Sequence, residues 1–218
     1  MKAGEVYENP VTGERVVIRV GTEECGGELL VADLYVKPDG ASMGEHVHPG
    51  IEEGFTVVRG RLGYRLGGRE GVVGPGQHLH VPHGTTHDWW NAGEEEARIV
   101  VEFSPAARFE EMIKNLWGLA QDGKTDAKGR PRLLQAALFA REFDDVIRLT
   151  KPPRPVQRLL FGALAPVARL LGYGGSYPEY RRRPPLEVVE LEPWRDFSAW
   201  PLSTDRGKEV DEKAIRRL

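Results

Sequence analysis

Two histidines two positions apart, His46 and His48, and a glutamate five positions further on, Glu53, form a donor set that could share one divalent ion. Side chains alternate along a β-strand, so His46 and His48 project from the same face. Glu53 stands at an odd offset, and an unbroken strand would turn it to the opposite face. Pro49-Gly50 interrupts the strand, and a turn there resets the phase so that the carboxylate faces the imidazoles. From that new phase, Phe55 and Val57 share the parity of Glu53 and point inward. A further histidine, His87, follows the rigid Pro82-His83-Gly84 turn at the start of another strand, where a closed sheet could bring it across the wall. Such a set partly neutralises a divalent ion and leaves positions open for water, oxygen or substrate. Fe, Mn, Ni, Cu and Zn all fit it. Glu53 could also act as a base.

The neighbouring polar residues read differently. Glu52 alternates away from Glu53, and Asp88 away from His87. His78, His80 and His83 fall at no ligand position and suit wall packing or surface. Trp89 shares the parity of His87 and is a candidate for the pocket wall. Tyr35, Met43, Phe55, Tyr64 and Phe103 are further candidates, each also a natural core residue.

The elements that must position these groups are short. Apolar or alternating runs at 15–20, 29–36, 55–58, 61–66, 78–81 and 98–103 are separated by Gly/Pro turns, the pattern of a β-sandwich or barrel. The texture changes near Ser104-Pro105. Helices are expected at 106–121, at 133–149 and at 156–171, the last with Pro166 as a kink. Pro152, Pro153 and Pro155 enforce the break between the last two. Residues 173–218 show little periodicity, and Trp194 and Trp200 suggest docking onto the fold.

The residues in the first half resemble the cupin superfamily. The first cupin motif, G(X)5HXH(X)4E(X)6G, is filled at every fixed position by Gly40, His46, His48, Glu53 and Gly60. The second, G(X)5PXG(X)2H(X)3N, is filled by Gly76, Pro82, Gly84, His87 and Asn91. At background usage of roughly 5–7% per residue type, ten coincident matches are far beyond chance. The resemblance implies a mainly β fold: a double-stranded β-helix, or jelly-roll, over about 25–104. It makes 1–104 the metal-binding domain, with His46, His48, Glu53 and His87 as ligands; it says almost nothing about 105–218, which the helical texture alone marks as a C-terminal extension. That extension would pack on the barrel, cap its mouth or form a homodimer interface. An amphipathic helix with Arg154, Arg158 and Arg169 also suits a membrane surface, but a core-facing helix gives the same pattern and is preferred. The implied activity is that of a metal-dependent enzyme on a small organic molecule. Oxygen-dependent oxidation leads, as in the flavonol- and thiol-oxidising cupins. A non-catalytic binding or sensing protein and a sugar isomerase- or epimerase-like enzyme are the alternatives, because fold alone does not choose among them.

Composition narrows the partners. Among 218 residues, 30 Lys+Arg against 33 Asp+Glu leave a net charge of −3, which gives no electrostatic reason to expect nucleic acid. The Arg181-Arg182-Arg183 run is read as a solvated loop. A single cysteine, Cys25, allows no internal disulfide and fits a reducing cytoplasm. The first residues lack an apolar leader-like stretch, and no run reaches the roughly 18 apolar residues of a membrane span.

Overall fold

The computed structural model describes residues 1–38, 40 and 44–192; Met43, Trp194 and Trp200 lie outside them. Ten strands come from the first half: β1 (Glu5–Asn9), β2 (Glu14–Val20), β3 (Leu30–Val36), β4 (His46–Val47), β5 (Glu52–Arg59), β6 (Leu62–Leu66), β7 (Arg69–Val73), β8 (His78–Val81), β9 (His87–Asn91) and β10 (Ala97–Ser104). The second half supplies α1 (Phe109–Gln121), α2 (Leu133–Glu142), β11 (Arg148–Leu149), α3 (Arg154–Leu170), α4 (Pro178–Arg181) and β12 (Glu187–Val188).

The strands form two antiparallel sheets, ordered β12-β1-β2-β3-β10-β5-β8 and β11-β4-β9-β6-β7. Strong alternation fixes their faces. On β3, Leu30, Ala32, Leu34 and Val36 enter the main core, while Val31, Asp33 and Tyr35 project from the outer surface of the sheet. Residues beyond 104 add an edge strand to each sheet, β12 beside β1 and β11 beside β4. The core runs without a break from the barrel interior (Phe55, Val57, Ile99, Phe103) into the helices (Phe109, Met112, Leu116, Phe143).

Two motif glycines have definite backbone work. Gly60 ends β5 at φ +85, where a Cβ would stand 2.8 Å from the Ala97 Cα. Gly84, at φ +74, donates its N–H to the carbonyl of His48 at 2.8 Å and so ties the second motif to the first.

The helices differ from expectation at one end. The segment expected to be helical to 149 leaves the helix after Glu142. Phe143 caps the helix, and its carbonyl accepts from Val146 N and Ile147 N in a turn that redirects the chain toward β4. Arg148 and Leu149 instead pair with Val47 and His46. Helix α3 runs through Pro166 as one element. No described helix is long and apolar enough to cross a membrane.

Candidate metal centre

His46 on β4 lies directly opposite His87 on β9 in the smaller sheet. Glu53 comes from β5 in the larger sheet, opposite Phe103 of β10. His48 follows β4 just before the Pro49-Gly50 turn. The four ligand atoms of His46, His48, Glu53 and His87 all lie within 4.8 Å of one another, between the sheets. Their relative exposures are 3%, 2%, 4% and 2%, so the ligand set is sealed from bulk water.

Each imidazole is held by its Nδ1. A carbonyl can only accept, so Nδ1–H donates in all three cases: His46 to Gly44 O at 2.8 Å, His48 to Val146 O at 2.7 Å and His87 to Thr85 O at 3.0 Å. That tautomer leaves Nε2 as the lone-pair donor toward the centre. The His87 Nε2 and Glu53 Oε2 atoms approach to 2.8 Å, and His48 Nε2 stands 3.7 Å from the same oxygen. Yet Glu53 Oε2 and His87 Nε2 are buried with no hydrogen-bond partner of acceptable geometry. Orphaned buried polar atoms are costly, and a cation between them would satisfy both. Metal–ligand bonds of about 2.0–2.2 Å put neighbouring ligand atoms roughly 3–4 Å apart, so the donors present fit a metal ion.

Electrostatics agree. Burial pushes the pKa of His46 well below 6.5, and the neighbouring His87 and His48 add to the shift, keeping its lone pair free. Burial also lowers His48, partly offset by Glu53 and the Val146 carbonyl. At His87 burial acts in the same direction, but the Glu53 carboxylate and the Thr85 carbonyl outweigh it and raise the pKa.

The other expected residues divide. Phe103 stands edge-on to His48, with ring centroids 6.3 Å apart, and Trp89 packs on Phe55 at 5.8 Å. Tyr64, opposite Trp89, packs against the same core. Tyr35 does not line the interior: strand alternation puts it outside, with the Arg15 guanidinium 4.2 Å over its ring. Glu52 pairs with His80 outside the barrel, and His78 bonds Thr56. Two contributors were not among the expected site residues. Phe109, the first residue of α1, stacks on Phe103 at 3.6 Å and stands edge-on to His48 at 5.8 Å. The Val146 carbonyl, from the turn after α2, holds His48. Phe109 had a signal, its place on the apolar face of the first helix; a backbone carbonyl has none.

The sequence matches the Cupin domain family over residues 33–103. It is 39% identical over 74 residues to the polyketide synthase CurC of Streptomyces cyaneus, covering 34% of this chain and 48% of that protein. It is 31% identical over 152 residues to the probable oxidoreductase virH of Hypocrea virens, covering 64% of this chain and 68% of that protein. The match thus spans about half the length of the first relative and two thirds of the second. An RmlC-like cupin from Shewanella frigidimarina superposes with a TM-score of 0.42 at 18% identity, covering 49% of this chain and 87% of that one. The chain belongs to the cupin superfamily, and it carries a buried His/Glu group that could bind a metal.

Proposed function

We propose that this protein is a metal-dependent oxidoreductase acting on a small, uncharged organic molecule, with dioxygen as oxidant, and that His46, His48, Glu53 and His87 are its metal ligands. The observation that carries the reading is the pair of orphaned atoms, Glu53 Oε2 and His87 Nε2, inside a sealed group of three imidazoles and one carboxylate. The similarity to a probable oxidoreductase supports the reaction class. It covers 64% of the chain, more than residues 1–104 can supply, so it includes part of the helical extension. The extension is read as a working part of the same unit, closing the barrel mouth.

The wall supports the substrate class. Among the described residues, the other buried charged side chains, Arg19, Asp33 and Glu102, lie on the outer face of the larger sheet. Among the described residues, the interior presents Phe55, Trp89, Phe103 and Phe109, with no buried lysine or arginine beside the candidate ligands. An aromatic or polyketide-like molecule would bury its rings there and offer oxygen atoms as its only strong polar contacts. When bound, the metal would supply electrophilic and redox chemistry at the ligand cluster. The protein's own groups orient the donors, exclude water and give Glu53 a place to hold a proton from the substrate.

Metal analysis of protein purified without added metal tests the first claim. His87→Ala should remove most bound metal, while His78→Ala should leave it nearly unchanged; the reverse pattern would show the ligand assignment to be wrong. Oxygen uptake with an aromatic substrate panel tests the second. Uptake should require both metal and substrate and should fall in Glu53→Gln. Tight binding without uptake, with iron, manganese, nickel or copper, would replace the oxidoreductase reading with a binding protein.

A further inference from the structure

Of the three carbonyls that hold the imidazoles, two come with the motifs. Gly44 and Thr85 each lie two residues before the histidine they bind. The third, Val146 O, lies 98 residues away from His48. We infer that residues 143–150 are a structural part of the metal centre: the Val146 carbonyl fixes the tautomer and orientation of His48, and Asp144 and Thr150 are positioning residues that keep it there. The inference rests on the metal reading above and goes beyond it, because it gives the helical extension a defined role at the ligands.

The carbonyl is held from both sides. Before it, the turn closes on Phe143 O, which accepts from Val146 N and Ile147 N at 2.9 Å each. Phe143 and Val146 are fully buried. The Asp144 carboxylate gathers Arg148 (Nη2 at 3.0 Å) and Arg154 (Nη1 at 2.6 Å), drawing the turn against the start of α3. After it, Arg148 and Leu149 pair with Val47 and His46. Thr150 donates both its N–H and its Oγ1–H to the Glu45 carbonyl, at 3.2 and 3.1 Å. The clamp therefore grips the strand that carries His46 and leads directly into His48. If the carbonyl moved away, a buried Nδ1–H would lose its partner. The ring could then take the opposite tautomer, with Nε2 protonated and unable to bind a metal.

The test uses the full-length chain and two readouts. The first is the tautomer of each histidine, from nitrogen-15 NMR of the metal-free protein at mildly alkaline pH. The second is zinc affinity by competition with a chromophoric chelator. Wild type should show His48 protonated at Nδ1. The double variant Asp144→Ala, Thr150→Val should show a mixed tautomer at His48 and bind zinc about 10–100-fold more weakly. Asp144→Asn in place of Asp144→Ala, which keeps one of the two acceptor oxygens, should recover part of the loss. Gln135→Ala removes a buried side chain bonded to Gly174 O and Tyr177 Oη elsewhere in the extension. It should lower stability while leaving tautomer and zinc affinity alone. An unchanged His48 tautomer and affinity in the double variant would overturn the inference, as would an equal loss in Gln135→Ala. If wild type took no zinc, the metal reading would fall, and the His48 tautomer in the variants would still decide whether this segment positions the imidazole.

Discussion

Helices α1 and α3 belong to the same extension and are both amphipathic, yet they meet different surroundings. Eight of the 13 residues of α1 are buried, including Met112, Leu116, Trp117 and Leu119. Its first residue, Phe109, reaches the candidate ligands. Only three of the 17 residues of α3 are buried, and these are Gln157, Ala165 and Ala168. Phe161 and Leu164 are half-buried, but its other large apolar side chains point outward, with Leu159 78% and Leu170 88% exposed. One helix closes the barrel with its bulk; the other lays its small residues on α2 and leaves its bulk in solvent. Amphipathic periodicity states that a helix has two faces, not which face meets the core.

The largest expected effect comes from removing the closing role altogether. A chain ending after Pro105 loses α1, the Val146 carbonyl and both added edge strands, and exposes Phe103 and its neighbours in the barrel core. It should be insoluble or aggregated when expressed. A monodisperse, metal-loaded fragment by size-exclusion chromatography and metal analysis would show that the barrel is complete without the extension, and the contrast between the helices would lose its meaning.

Phe109→Ala tests the same contrast at one residue. Deleting a buried ring that stacks on Phe103 should cost about 3–5 kcal/mol in denaturant unfolding. Because that ring also covers His48, zinc should exchange faster into a chelator. Loss of stability with unchanged exchange would assign Phe109 to packing alone.

The contrast also shows what was legible from residue order. The barrel and the convergence of four candidate donors were readable because strand alternation and motif spacing tie residue type to position: His46, His48, Glu53 and His87 do come together. Tyr35 was named as a lining candidate by residue type and not by parity; strand alternation on β3, with Leu34 and Val36 in the core, places it on the outer face. The strands β11 and β12 were unreadable, being two-residue pairings set by tertiary contact. The end of α2 was misread because apolar spacing at Phe143 and Ile147 continues past the helix, while Arg148 and Leu149 are drawn into pairing with β4, a tertiary contact that local spacing does not encode.

Acid should separate the ligands held by the motifs from the competing proton. The pKa of His87 is raised, so its proton competes with metal from above the ordinary imidazole value of 6.5. Apparent zinc affinity should therefore begin to fall on acidification before pH 6.5, by up to about tenfold per pH unit for each proton displaced. His46 acts oppositely on folding. Its folded-state pKa lies below the unfolded value, so its contribution to stability is present above pH 6.5 and is lost as pH falls toward the lowered value. Metal-free protein should thus lose stability in mild acid, with a smaller loss in His46→Gln. An equal loss in that variant would place the acid sensitivity elsewhere.

The smallest effect is expected where the helix exposes its bulk. Leu159→Gln together with Leu170→Gln removes two apolar side chains that make few contacts within the chain. Substitutions at such sites cost about 0.5 kcal/mol or less each, and a glutamine is as good a helix former as the position needs. The melting temperature of the double variant should stay within about 2–4 °C of wild type, with zinc affinity and the His48 tautomer unchanged. The comparison is sharpest if Phe109→Ala and this pair are measured side by side at several protein concentrations. A concentration-dependent drop in melting temperature for the α3 variant, with loss of a larger species in sedimentation velocity, would mean that the outward face is covered in solution. In that case α3 would bury its bulk in another surface just as α1 buries its own, and the two helices would differ only in whether the covering surface belongs to the same chain.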